Sequence, residues 1–243
     1  MGKTKQYDES KIQTLSALEH IRLRTGMYIG RLGDGTDFND GIYILLKEII
    51  DNSVDEYIMG HGQKIEVTLD EQGKATVRDY GRGIPLGKVI ECVSVINTGA
   101  KYNQDVFEFS VGLNGVGTKA VNALSQAFRV VSFREGSFFE ASFEKGKLKK
   151  KKSGKAAKQK NGTYVEFDPD PEIFGDFAYH KEFVEQRLWN YAYLNSGLTL
   201  LFNGDKFVSK NGLLDLLKEE VGDEAIYDLG HYKGDRLEFA FCH

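Results

Sequence analysis

The sequence predicts an α+β domain built on a mainly antiparallel sheet, and three patterns carry that expectation. Alternating apolar and polar residues mark strands at 64–70, 75–79, 127–135, 137–144 and 162–168, because successive side chains of a strand point to opposite faces of its sheet. A long stretch from Asp40 to Met59 has apolar residues three and four apart and marks a helix ahead of them. Two more helical stretches, 180–195 and 211–220, flank a further strand at 198–203.

Taken in order, residues 1–12 are polar and read as an arm, and "LSALEHIRL" has helical spacing at Leu15, Leu18 and Leu23. "TGMYIG" reads as a turn or a short extended piece. In the long helix, Leu46, Ile49, Ile50, Ser53, Val54 and Tyr57 form a core-facing stripe. "KIEVTLD" alternates Ile65, Val67 and Leu69, "DEQGK" turns the chain, and "ATVRD" returns. Helical "GKVIECVSVIN" leads into a polar, glycine-containing loop from Thr98 to Val116, then a short helix to Ser125. The final "RLEFAFCH" alternates like a strand and stops, so residues 223–243 are expected to be a linker and the start of a truncated further domain.

Composition excludes several classes. With 41% hydrophobic residues, 28% charged residues and three prolines, the 243-residue chain reads as globular. It has no apolar run of membrane-spanning length, and "MGKTKQYDESK" lacks the apolar centre of a signal peptide. A cytoplasmic protein without a membrane partner is expected. Cys92 and Cys242 lack neighbours at metal-ligand spacing. The net charge of −4 argues against a generally basic nucleic-acid surface. One local exception is "KGKLKKKKSGKAAKQK", 145–160, which reads as a solvated hairpin excursion rather than a DNA-touching patch.

Four short stretches carry possible chemistry. The helix bears Glu48, Asn52 and Asp55 at i, i+4 and i+7, in line and opposite the apolar stripe; alone, they would be an ordinary exposed polar face. Asp79 closes a strand ahead of "YGRGIP", either as a turn residue or as a carboxylate aimed into a pocket. "VGLNGVGTKAV", 111–121, fits three phosphate-binding patterns imperfectly. Thr118 and Lys119 reverse the order that a P-loop needs, and the polar "KYNQDVFEFS" upstream does not suit a dinucleotide fingerprint. The third pattern is a glycine loop whose N–H groups fold over phosphates beside a helix start. In "NGTYVEF", Thr163 begins a strand and offers a hydroxyl.

In this order and spacing, "EIIDN", "DYGRG", "GLNGVG" and "GT" resemble the motifs of the GHKL ATPase superfamily. With "RTGMYIG", "DNSVDE", "GRGIP" and "FREG" added, nearly the whole chain resembles the ATPase subunit of bacterial type II topoisomerases. The "RDYGRGIPLGKV" form is more similar to a topoisomerase IV branch than to gyrase. The rival readings are the ATPase domain of a gyrase B subunit, a MutL-like repair ATPase, and a non-enzymatic, nucleotide-switched interaction module. Several positions depart from the commonest pattern: Thr25 stands where proline is usual, Tyr80 where a second aspartate is common, Asn114 where histidine is frequent, and Ala100 where glycine is usual.

The resemblance implies a two-layer sandwich with helices on one face of the sheet and ATP between the layers, under the glycine loop acting as a lid. It implies Glu48 as the general base, Asn52 as the Mg²⁺ ligand, Asp55 as a further nucleotide position, and Asp79 as the adenine reader, assisted by Thr163. Arg82, Gly83, Ile84, Pro85 and Arg134 would form the pocket rim. Gly112, Leu113, Asn114, Gly115, Val116 and Gly117 would give N–H groups to the phosphates, with Lys101 adding charge. Tyr7 either reaches a partner's nucleotide on ATP-dependent homodimerisation or belongs to a frayed tail. The implied partners are DNA and a DNA-cleaving subunit, both acting through the full-length protein, together with adenine-site inhibitors. The implied continuation is a transducer domain.

Overall fold

A computed structural model of the chain describes residues 11–12, 14–99, 115–234 and 237–243. Residues 1–10 of the arm expected at 1–12, most of the polar loop and the positions Tyr7, Ala100, Lys101, Gly112, Leu113 and Asn114 lie outside the described residues.

Helix α1 (Ala17–Leu23) is started by Ser16, which forms a capping box with Glu19. Its buried residue is Ile21, whereas Leu15 and Leu23 of the expected stripe are exposed. "GMYI" forms a one-turn helix, α2 (Gly26–Ile29), instead of a turn or extended piece. Four residues are too few for periodicity to reveal a helix.

Helix α3 (Gly41–Ile58) is the central element. Leu46, Ile49, Ile50, Ser53 and Val54 are buried as expected, but Ile42, Tyr43, Leu45, Asp51 and Asp55 are buried as well. Of the in-line residues Glu48, Asn52 and Asp55, the first two are half-buried and Asp55 is buried, so they do not form an ordinary exposed polar face. Asp51 is held by Lys47 one turn back and by the hydroxyl of Tyr191. That phenol is pushed well above its ordinary value, first by burial and then by the Asp51 charge.

The main sheet runs β5-β4-β3-β6-β2-β1-β7-β8. Its strands are β1 (Lys64–Leu69), β2 (Ala75–Asp79), β3 (Ser125–Arg134), β4 (Ser137–Glu144), β5 (Lys147–Lys155), β6 (Gly162–Pro169), β7 (Thr199–Phe202) and β8 (Asp205–Phe207). Every pairing is antiparallel except β1 with β7. Residues 147–155 of the lysine stretch are thus a paired edge strand, solvated throughout as a hairpin excursion would be. An unbroken run of one polar residue type hides strand alternation. Strand β8 and the short helix α6 (Pro171–Phe174) also lack a readable pattern.

Helix α4 (Val89–Ser94), preceded by a 3₁₀ turn at Leu86–Lys88, is shorter than expected, as is α5 (Gly117–Ala123). Helices α3 and α5 pack together and against the sheet, and α7 (Lys181–Leu194) covers β7 and β8. Between the layers lie Phe128, Phe167, Leu188 and Phe202, all buried. Beyond α8 (Leu213–Val221), β9 (Gly230–Lys233) pairs with β10 (Glu238–Phe241), the strand expected from "RLEFAFCH". This hairpin lies against α8, where Glu238 Oε1 accepts the N–H of Leu213.

Candidate active site

One face of β2 fixes the first half of the site. Ala75, Val77 and Asp79 alternate inward, so Asp79 enters the interior in register with two apolar residues. It is 5% exposed. The N–H groups of Gly81 and Thr163 both donate to its Oδ1, at 2.9 and 3.1 Å, and Oδ2 takes neither. Burial dominates these two stabilising bonds and raises the carboxyl from 3.8 to about 6. Thr163 therefore acts on Asp79 through its backbone, a contact that its hydroxyl-bearing identity did not suggest.

Glycines let the neighbouring chain approach. A Cβ on Gly162 would stand 2.3 Å from the carbonyl oxygen of Asp79, and Gly83 combines a φ of +77° with a virtual Cβ 2.6 Å from the Phe133 carbonyl oxygen. The rim follows directly. Arg82 donates its backbone N–H and Nε to Glu56 Oε2 and its Nη2 to Oε1, at 2.8, 3.1 and 2.9 Å. Arg134 Nη1 reaches the Gly83 carbonyl at 3.4 Å, and Ser132 Oγ donates to the Ile84 carbonyl at 2.6 Å. Pro85 precedes the 3₁₀ turn. Glu56 was not among the expected site residues, although it follows Asp55 directly in the same helix.

The second half is where α3 meets the start of α5. Asn52 Nδ2 donates to the Glu48 carbonyl at 2.7 Å and to Thr118 Oγ1 at 2.9 Å. Gly117 lies so close to Glu48 that a Cβ there would be 1.7 Å from Oε2. Val116 precedes the helix, and Gly115 takes a φ of +59°. Lys119, also absent from the expected site, is 3% exposed and donates to the Thr98 carbonyl at 2.7 Å. Its signal was the "TK" that ruled out a P-loop. Asp55 is fully buried in α3.

Helix α3 thus links both halves: Glu48 meets α5, and Glu56, eight residues later and about 12 Å along the axis, holds Arg82. Among the described residues no group of three His, Cys, Asp or Glu side chains could hold a metal ion by itself. No described helix is long and apolar enough to cross a membrane.

Residues 38–173 match the family described as histidine kinase-, DNA gyrase B-, and HSP90-like ATPase. The chain belongs to that family. It is 62% identical to the B subunit of DNA topoisomerase 4 from Borreliella burgdorferi, over 99% of this chain and 40% of that protein. Its identity to the B subunit of DNA gyrase from Thermus thermophilus is 39%, over 91% of this chain and 37% of that protein. This ATPase-family chain therefore spans about 40% of the length of the curated relatives it matches. The crystal structure of the 43K ATPase domain of Thermus thermophilus gyrase B in complex with an aminocoumarin superposes with a TM-score of 0.74 at 33% identity. That match covers 92% of this chain and 61% of the other, and agrees with the α+β sandwich expected from the sequence.

Proposed function

We propose that this chain is the ATP-binding and hydrolysing domain of a type II DNA topoisomerase subunit, of the topoisomerase IV kind rather than gyrase. The carrying observation is the 62% identity to the Borreliella topoisomerase protein over 99% of the chain, against 39% identity over 91% for the gyrase relative. The two halves of the site suit ATP. Asp79 presents a carboxylate oxygen that can accept from the exocyclic amino group of adenine, where guanine would offer another acceptor. Glu48 stands at the phosphate end, where it takes the proton of the attacking water as general base.

Magnesium suits the donor set. Both amide hydrogens of Asn52 are directed at Glu48 and Thr118, which turns Oδ1 away from them, and a single oxygen beside phosphate oxygens matches the preference of Mg²⁺. When bound, Mg²⁺ would neutralise charge on the phosphates. Gly115, Val116 and Gly117 would give N–H groups to those phosphates, with Gly112, Leu113, Asn114 and Lys101 completing a lid, while Arg82, Gly83, Ile84, Pro85 and Arg134 border the base. Inhibitors of the adenine site would bind near Asp79 and Arg82. The full-length protein would work in the cytoplasm as a nucleotide-gated dimer clamp with a DNA-cleaving subunit, Tyr7 reaching across the dimer and residues 223–243 leading into a transducer domain.

The test is duplex passage. The full-length protein, combined with its cleaving partner, should unlink interlocked DNA circles in an ATP-dependent way, and its Glu48→Ala variant should not. Hydrolysis without passage would favour the MutL-like reading, and hydrolysis left unchanged by Glu48→Ala would favour the switch reading.

A further inference from the structure

The edge strand carries a concentration of charge that ATP chemistry does not use. Residues 147–160 hold eight lysines and no acidic residue. Without those eight, a chain of net charge −4 would carry −12 on everything else. All nine residues of β5 are exposed, and β5 ends the sheet, so its outer edge is unpaired by strands of this sheet. Among the described residues, Lys149 pairs with Glu144 and Lys152 with Glu140. The other six, Lys147, Lys150, Lys151, Lys155, Lys158 and Lys160, have no ion pair there.

The strand geometry makes this a ridge. Nine residues extend about 30 Å. Lys150 and Lys152 stand opposite Ser142 and Glu140 on one side and Lys151 opposite Ala141 on the other, while a register shift at Lys149 lets that side chain reach Glu144. On the face of the sheet away from α3 and α5, the ridge borders a cleft of about 800 Å³ whose charged lining is Arg78, Arg129, Lys152, Lys155 and Lys158 against Glu66 and Glu140, the latter paired with Arg129 and Lys152. Arg78 Nη2 donates to the Lys160 carbonyl, whereas its Nη1 is buried with no hydrogen-bond partner. Lysines on an edge also prevent strand-to-strand aggregation. That role needs only a few of them, and it does not account for Lys158 and Lys160 beyond the strand or for the arginines in the cleft.

We propose that β5, the turn to β6 and the mouth of this cleft form a docking surface for duplex DNA that contacts phosphates without reading sequence. The choice of DNA among polyanions rests on the topoisomerase reading. Residues 147–160 contain no aromatic side chain on which bases could stack, which favours backbone contact over single-strand binding.

The experiment is a fluorescence-anisotropy titration of a labelled mixed-sequence duplex of about 20 base pairs with the 243-residue chain, over about 50–200 mM salt. Three proteins are compared: wild type, Lys150→Gln/Lys151→Gln/Lys158→Gln, and a charge-matched control, Lys206→Gln/Lys210→Gln/Lys218→Gln. Each lost phosphate contact should reduce the slope of log K against log salt by about 0.9, so the ridge variant should lose about 2–3 units of slope. Its affinity should fall at least about tenfold at low salt, while the control stays near wild type. Equal losses in both variants would overturn the proposal. So would polyglutamate or duplex RNA displacing the probe better than unlabelled duplex DNA. Binding of a non-hydrolysable ATP analogue is measured on all three: unchanged binding shows that the ridge variant is folded, and absence of binding even in wild type would defeat the nucleotide reading separately.

Discussion

The two ends of the site are built on different physical terms. At Asp79 a carboxylate is enclosed by strands and held by two backbone N–H groups, so its position is fixed by the sheet itself. At Glu48 the carboxylate stands against a glycine at the start of a short helix, beside a side-chain amide network. The first end suits recognition of a rigid base, since backbone donors cannot rotate away. The second suits chemistry on phosphates, where a lid must come and go. Both depend on α3, which is why a mutation at either end can be read separately on one rigid element.

The largest expected effect separates the ends by function. Glu48→Ala should lower ATP hydrolysis on the order of 10²–10⁴-fold while leaving binding of a non-hydrolysable analogue nearly intact, as turnover and calorimetry would establish. Equal loss of both would assign Glu48 to binding.

The next effect is a pH dependence confined to the Asp79 end. Its carboxyl is raised from 3.8 to about 6, so the native state holds that proton more tightly than the unfolded chain. The sign follows: this contribution to stability is complete below about pH 4 and is lost as pH rises through about 6, amounting to about 3 kcal/mol. Adenine binding should move the opposite way, weakening as pH falls below about 6. Thermal unfolding of wild type and Asp79→Asn between these limits should show the first trend in wild type alone.

A smaller change sharpens the phosphate end. Gly117→Ala forces the Glu48 carboxylate to shift, because the new Cβ would lie 1.7 Å from Oε2. Expected are a stability loss of about 1–3 kcal/mol and a fall in turnover on the order of 10²-fold. Unchanged turnover would mean that Glu48 need not stand there. Smallest is Glu56→Ala, which removes the two-oxygen grip on Arg82. A partly exposed pair of this kind contributes about 1 kcal/mol, so analogue affinity should weaken only several-fold.

Much of this architecture was legible because burial and alternation coincide. Val67, Val77 and Val165 point inward where period two places them, and the same period carries Asp79 inward. Legibility failed where local pattern is silent. β5 is a strand because β4 pairs with it, and its lysines carry no apolar face. Asp55 looks like part of a polar face, but α3 is enclosed on more sides than one stripe requires. Glu56 and Lys119 gain their meaning from Arg82 and Thr98, which are distant in sequence. Thr163 stands out by its hydroxyl, yet it is the backbone N–H that reaches Asp79.

The most direct test of the site is a calorimetric titration of wild type and Asp79→Asn with a non-hydrolysable ATP analogue and Mg²⁺. With Oδ1 kept as acceptor for Gly81 and Thr163, the asparagine would turn an N–H donor toward the amino group of adenine. Affinity should therefore fall by about 1.5–3 kcal/mol. Equal binding by the two proteins would place the nucleotide elsewhere and contradict the assignment of Asp79.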